Sequence, residues 1–161
     1  MGRNGTPEMP MAATNQDFRL FAGQVTHTLD SKNRVTVPSR WRVEGDGEFY
    51  ALPDPNKKTI SLLLPLELQK LMEETSRNAD LKGSKARTFL RNYFSQAFPC
   101  PVDKQGRVVI PAEMCDKADL SEEVILAGTG SRIEVWSPAN WELEKEQSQE
   151  IFQEVANELG I

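Results

Sequence analysis

The chain has 161 residues, 39% of them hydrophobic and 27% charged; this is globular material, too apolar for a disordered protein and without a run of transmembrane length. Its net charge of −5 argues at face value against a phosphate-bearing partner, but residues 142–161 hold six glutamates against Lys145 and so carry the whole −5, leaving a neutral body. Two unclustered cysteines, Cys100 and Cys115, and a single histidine exclude a disulfide framework and a zinc site, and with no basic-then-apolar signal at the start, a cytoplasmic protein is expected.

In chain order, Met1 to about Asp17 scatters Gly, Pro and Asn without period and reads as a disordered extension, carried to residue 19 in the domain division. A strand over Gln24–Leu29 enters a tight turn. There Asp30 accepts from backbone N–H groups two or three residues on, and Asn33 tolerates positive φ. A second strand, Arg34–Val37, ends at Pro38, which suits the first turn of a short helical segment. Strands over Phe49–Leu52 and Thr59–Leu63 flank a loop at Pro53–Lys58, and Pro65 opens a helix to about Ser76. Ser84 caps a helix whose Ala86, Phe89, Leu90, Tyr93, Phe94 and Ala97 fall at the spacing of a buried stripe.

The same grammar then returns. Strands are expected over Ala97–Val102, Arg107–Ile110, Val124–Ala127 and Arg132–Trp136, with a helical segment after Pro111 and a loop at Gly128–Ser131. Ser137-Pro138 starts a helix, and Ser148 precedes a last amphipathic one through Ile151, Phe152, Val155 and Leu159, closed by Gly160. That last face packs either on the body or on a neighbouring subunit.

An internal repeat underlies this grammar. Asp30-Ser-Lys-Asn-Arg34-Val-Thr-Val-Pro38 returns 73 residues later as Asp103-Lys-Gln-Gly-Arg107-Val-Val-Ile-Pro111. At the same offset, without a gap, Ala51 meets Val124, Leu52 meets Ile125, Ile60 meets Ile133 and Leu62 meets Val135. The chain is therefore read as a duplicated module, in which Arg34 and Arg107 leave equivalent turns at equivalent places.

These residues strongly resemble the MraZ family of bacterial tandem AbrB-like proteins. The likeness rests on the paired Asp-x-x-x-Arg turns, on Ala86-Arg-Thr-Phe-Leu-Arg-Asn-Tyr-Phe-Ser-Gln-Ala97, and on Ile133-Glu-Val-Trp-Ser-Pro138 through Trp141; it covers roughly residues 21–145. It implies an α+β, mainly β fold: two swapped-hairpin modules forming an intrachain pseudo-dimeric β-barrel with flanking helices. The division is 20–80 for the first module, 81–97 for an inter-repeat helix, 98–147 for the second module and 148–161 for a C-terminal helix. The resemblance further implies a non-enzymatic, nucleoid-associated transcriptional regulator of the division and cell-wall gene cluster. It would bind double-stranded DNA at promoter direct repeats as a homo-oligomeric ring, commonly an octamer, with no cofactor, metal, membrane or small-molecule substrate. DNA contacts pass to Lys32, Arg34 and Arg107, with Asn33 and Gln105 beside them, and Asp30, Asp103 and Gly106 as turn builders. Asn33 stands where the family usually has glycine. Because Lys32 faces Gln105 across the repeat, the first turn is expected to contribute more charge.

Plainer readings stand beside these. An Asp four residues before an Arg pairs across a turn as an ordinary exposed ion pair, which contributes little. His27 reads as strand packing or surface, and Trp41, Trp136 and Trp141 as core anchors in preference to a base-stacking platform. Functional alternatives are an oligomeric scaffold, with the arginines at subunit contacts, and an AbrB-like antitoxin.

Overall fold

A computed structural model of the chain describes residues 19–42 and 47–161. The extension expected over 1–19 lies outside them except for Arg19. Among the described residues the order is β1 (Phe21–Thr28), β2 (Arg34–Thr36), β3 (Glu48–Pro53), β4 (Ile60–Leu63), α1 (Pro65–Arg77), α2 (Ser84–Phe94), β5 (Phe98–Pro101), β6 (Arg107–Val109), α3 (Ala112–Lys117), β7 (Glu123–Gly130), β8 (Ile133–Trp136), α4 (Pro138–Gln147) and α5 (Gln149–Leu159). One 3-10 turn, Ser39–Trp41, occupies the place in the first copy that α3 occupies in the second. The fold is α+β and mainly β, as the sequence indicates.

Six strands form one antiparallel sheet in the order β1-β7-β8-β4-β3-β5, and β2 pairs with β6 in a separate two-stranded ribbon. The copies interleave. The first strand of each copy pairs with the third strand of the other: β1 with β7 over eight residues and β5 with β3 over four. Val35 lies directly opposite Val108 in the ribbon, and Ser61 directly opposite Glu134 in the sheet. Each of these pairs joins a residue to its own repeat counterpart, so an internal pseudo-two-fold axis passes between them. Either copy alone would leave strand edges unpaired, and the exchange satisfies those backbone groups within one chain.

Sheet and ribbon share one core. Val35, Val37, Val108 and Ile110 from the ribbon pack with Phe21, Trp41, Phe49, Leu62, Leu126 and Val135, all buried. Phe21 meets Trp41 edge-on at 6.3 Å, which draws β1 back to Phe21, three residues before the expected start. Trp41 and Trp136 are the core anchors expected of them, at 2% and 4% exposed. Trp141 is only half-buried and donates its indole N–H to Gln24 at 3.0 Å.

The ungapped repeat alignment needs correction in one strand. Ala51 lies opposite Leu62 and Leu126 opposite Val135, so β3 and β7 correspond with an offset of 75, not 73. Ala51 thus matches Leu126, and Leu52 matches Ala127. A two-residue shift leaves every side chain on its original face, which is why the false register still aligned apolar residues. The second copy takes up two extra residues before β7 and returns them in a tighter β7–β8 turn, where the Thr129 N–H bonds the Arg132 carbonyl at 2.9 Å.

The helices depart from expectation in how much they bury. Along α2 only Tyr93 is buried, packed with Leu52, Leu63 and Leu68; Phe89 stacks on Tyr93 at 5.4 Å but stays 38% exposed. Ser137 caps α4 by accepting from the Asn140 N–H at 3.1 Å, and Gly160 ends α5 at φ +75°, as read from the sequence. The α5 face does not pack on the body: Ile151, Phe152, Val155 and Leu159 are exposed.

Candidate nucleic-acid interface

Each Asp-x-x-x-Arg turn is held by one aspartate acting in two directions. In the first, Asp30 Oδ1 accepts from the Lys32 and Arg34 backbone N–H groups, both at 2.9 Å, while Oδ2 accepts from Arg34 Nε at 2.8 Å. In the second, Asp103 Oδ1 accepts from the Gln105 and Arg107 N–H groups at 2.9 and 2.8 Å, and Oδ2 from Arg107 Nε at 2.9 Å. The Asp30 carboxyl is held down at about 2, first by the Arg34 backbone N–H and then by the Arg34 side chain and the Lys32 N–H. Asp103 is lowered in the same way, first by the Arg107 backbone N–H. Both carboxylates are therefore ionised at neutral pH, and each arginine has a fixed partner.

The backbone bonds link the two turns. Asn33 and Gly106 both take positive φ, +59° and +83°, as the turn requires. Their carbonyls reach across the ribbon: the Val37 N–H donates to Gly106 at 2.8 Å and the Ile110 N–H to Asn33 at 2.9 Å. Val37 and Ile110 are themselves repeat counterparts, so each turn is anchored on the strand of the other copy.

Strand alternation then decides which way the arginines face. Val35 and Val108 point inward and are fully buried, so Arg34, Thr36, Arg107 and Val109 occupy the outward face. Arg34 is opposite Val109 and Arg107 opposite Thr36, which makes the two arginines diagonal neighbours, roughly 7–8 Å apart at Cα. Each side chain keeps 28% of its surface exposed, and Val109 is 44% exposed between them. The Asp–Arg ion pair and an outward arginine are thus not alternatives, because the pair aims the guanidinium and leaves donors on its outer edge.

Lys32 is exposed beside the first turn, and Asn33 is half-buried. Gln105 is exposed and accepts from Arg107 Nη2 at 3.3 Å, a further brace on that arginine. The charge excess expected for the first turn is offset. Exposed Lys104 stands where the first copy has Ser31, so Lys32 with Arg34 balances Lys104 with Arg107. The structure also brings in Arg42, whose guanidinium lies against Gly106. The sequence signal for that contact was the inequality of Asn33 and Gly106, which the repeat made visible but left unexplained.

Titratable groups outside the two turns are shifted by burial. Burial raises the Glu134 carboxyl above its ordinary value, and that side chain accepts from the Trp136 indole at 3.0 Å. Burial likewise pushes the Cys100 thiol up to about 12. His27 is half-buried on β1, opposite Val124. Among the described residues, no helix is long and apolar enough to cross a membrane.

Comparison with known proteins finds relatives of one family. A family model described as "MraZ protein, putative antitoxin-like" matches residues 93–160. A transcriptional regulator MraZ of Natranaerobius thermophilus is 35% identical over 140 residues, covering 87% of this chain and 96% of the relative. One of Caldicellulosiruptor saccharolyticus is 37% identical over 147 residues, covering 88% of this chain and all of the relative, and one of Desulfitobacterium hafniense is 35% identical over 140 residues.

Proposed function

The chain belongs to the MraZ family, and from that premise we propose that it is a cytoplasmic, nucleoid-associated transcriptional regulator whose β2·β6 ribbon enters the major groove of duplex DNA. One observation carries the reading: two Asp-x-x-x-Arg turns, related by the internal two-fold axis, place Arg34 and Arg107 together on the outward face of one ribbon. The major groove admits a two-stranded β-ribbon, and a bidentate arginine matches guanine O6 and N7. The diagonal spacing of the arginines, about 7–8 Å, spans roughly two base-pair steps of 3.4 Å. Lys32, Lys104, Asn33 and Gln105 then lie at the phosphates and groove edges, and Val109 offers an apolar contact to a thymine methyl group.

Short direct repeats upstream of the division and cell-wall cluster are the proposed target, with one ribbon per repeat and several chains engaged through a ring. The uncovered apolar faces support assembly: Ile151, Phe152, Val155 and Leu159 on α5, and Phe89 and Phe98 near α2, are exposed in the single chain. Ring avidity lets an acidic chain hold DNA through many aligned weak contacts. The six glutamates of residues 142–161, which carry the net negative charge, lie in α4 and α5, away from the ribbon in sequence. The test is a competition between the duplex upstream of the chain's own gene and a scrambled one. Preference for the former, with affinity falling steeply as salt rises, is the expected result. Equal and weak binding to both would leave the scaffold reading in its place.

A further inference from the structure

The two turns differ in one respect that the repeat does not account for. Arg42 follows the 3-10 turn of the first copy and crosses to the second copy's turn. Its Nε donates to the Val37 carbonyl at 2.8 Å, and its own carbonyl accepts from Arg19 Nη2 at 2.7 Å. The guanidinium fills the volume that a Cβ on residue 106 would occupy, with Cζ, Nε and Nη2 all against it. Gly106 is buried beneath it at φ +83°. The residue 73 positions on from Arg42 is Cys115, whose Sγ lies 3.6 Å from the carbonyl of Ile110, the counterpart of Val37. Both side chains thus address equivalent carbonyls, but the thiol ends there and the arginine continues to the turn. A side chain at residue 106 would meet Arg42, whereas the counterpart of Arg42 in the second copy is the short Cys115.

We infer that Arg42 is a third DNA-contacting arginine, presenting a fixed guanidinium to a backbone phosphate beside the second turn. This rests on the ribbon being the DNA-facing surface. The Nε bond to Val37 takes one of five N–H groups and locks the plane of the fork, and phosphate recognition by arginine rewards such preset planarity. Lys104, Arg107 and Arg42 then gather at the second turn against Lys32 and Arg34 at the first. The second turn becomes the stronger electrostatic contact, the reverse of what Lys32 and Gln105 alone suggest.

Two variants separate charge from packing. Arg42→Gln keeps a donor for Val37 and much of the bulk but removes the charge, while Arg42→Lys keeps the charge and loses the fork. Both are titrated with the upstream duplex over a range of salt, beside Arg107→Ala. The expected result is that Arg42→Gln makes the plot of log affinity against log salt shallower by about one unit per chain engaged, and that Arg42→Lys keeps the original slope. If the Gln and Lys variants give the same slope as each other, charge at residue 42 does not reach DNA and the inference fails. A wild-type titration for Arg107→Ala would instead overturn the ribbon reading on which it rests.

Discussion

Replacing both ribbon arginines, Arg34→Ala with Arg107→Ala, abolishes preference for the upstream duplex while leaving the fold and the oligomer's mass unchanged. A bidentate arginine–guanine contact discriminates by about 1–3 kcal/mol. Losing two therefore costs about 2–6 kcal/mol per chain, at least ~30-fold in affinity, before avidity multiplies it. The fold survives because the aspartates hold the turns through backbone groups that alanine retains. Asp30 Oδ1 still accepts the N–H groups of residues 32 and 34, and Asp103 Oδ1 those of 105 and 107. The lost ion pairs are partly exposed, and such pairs contribute little to stability. Mobility shift and light scattering on one sample read both consequences. A variant that falls into monomers would instead place the arginines at subunit contacts, as the scaffold reading requires.

Trp41→Ala is the substitution expected to cost most stability. Trp41 is 2% exposed, meets Phe21 edge-on at 6.3 Å, and carries the Arg40 guanidinium over its ring at 4.9 Å. Truncating a buried tryptophan to alanine costs about 3–5 kcal/mol, a large share of the ~5–15 kcal/mol that holds an ordinary domain together. A melting temperature lower by roughly 6–20 °C follows for a chain of this size. The loss reaches the site as well, because Trp41 pins the turn from which Arg42 crosses to Gly106. Trp141→Ala is the control: its ring is half-buried, resting on Trp136 at 5.6 Å with its indole N–H donated to Gln24, so its melting temperature should fall far less. Equal losses for the two would remove the distinction drawn between them.

The parts of this molecule that were legible in the sequence are those whose cause is local. A turn built by one aspartate and a left-handed residue is written in five consecutive positions, and its return 73 residues later established equivalence before any strand was seen. The caps at Ser137 and Gly160 and the burial of Trp41 are local or nearly so. The register of β3 against β7 was not legible, because alternation has a period of two and cannot distinguish offsets of 73 and 75. The α2 periodicity marked an apolar face but not how far the core reaches along it, so Phe89 stayed exposed. The crossing of Arg42 was hidden for another reason. It joins residues 64 positions apart in different copies, and its only trace was a glycine matched to an asparagine.

The central claim, that the ribbon's two turns face DNA, is tested most directly by reading every arginine at once. The wild-type protein is treated with an arginine-modifying dicarbonyl, with and without the upstream duplex, and modification is measured at each site by mass spectrometry. Bound duplex should shield Arg34 and Arg107 and leave Arg77, Arg87 and Arg91, exposed on α1 and α2, as reactive as before. Shielding of the helical arginines, with Arg34 and Arg107 still open to the reagent, would contradict the account.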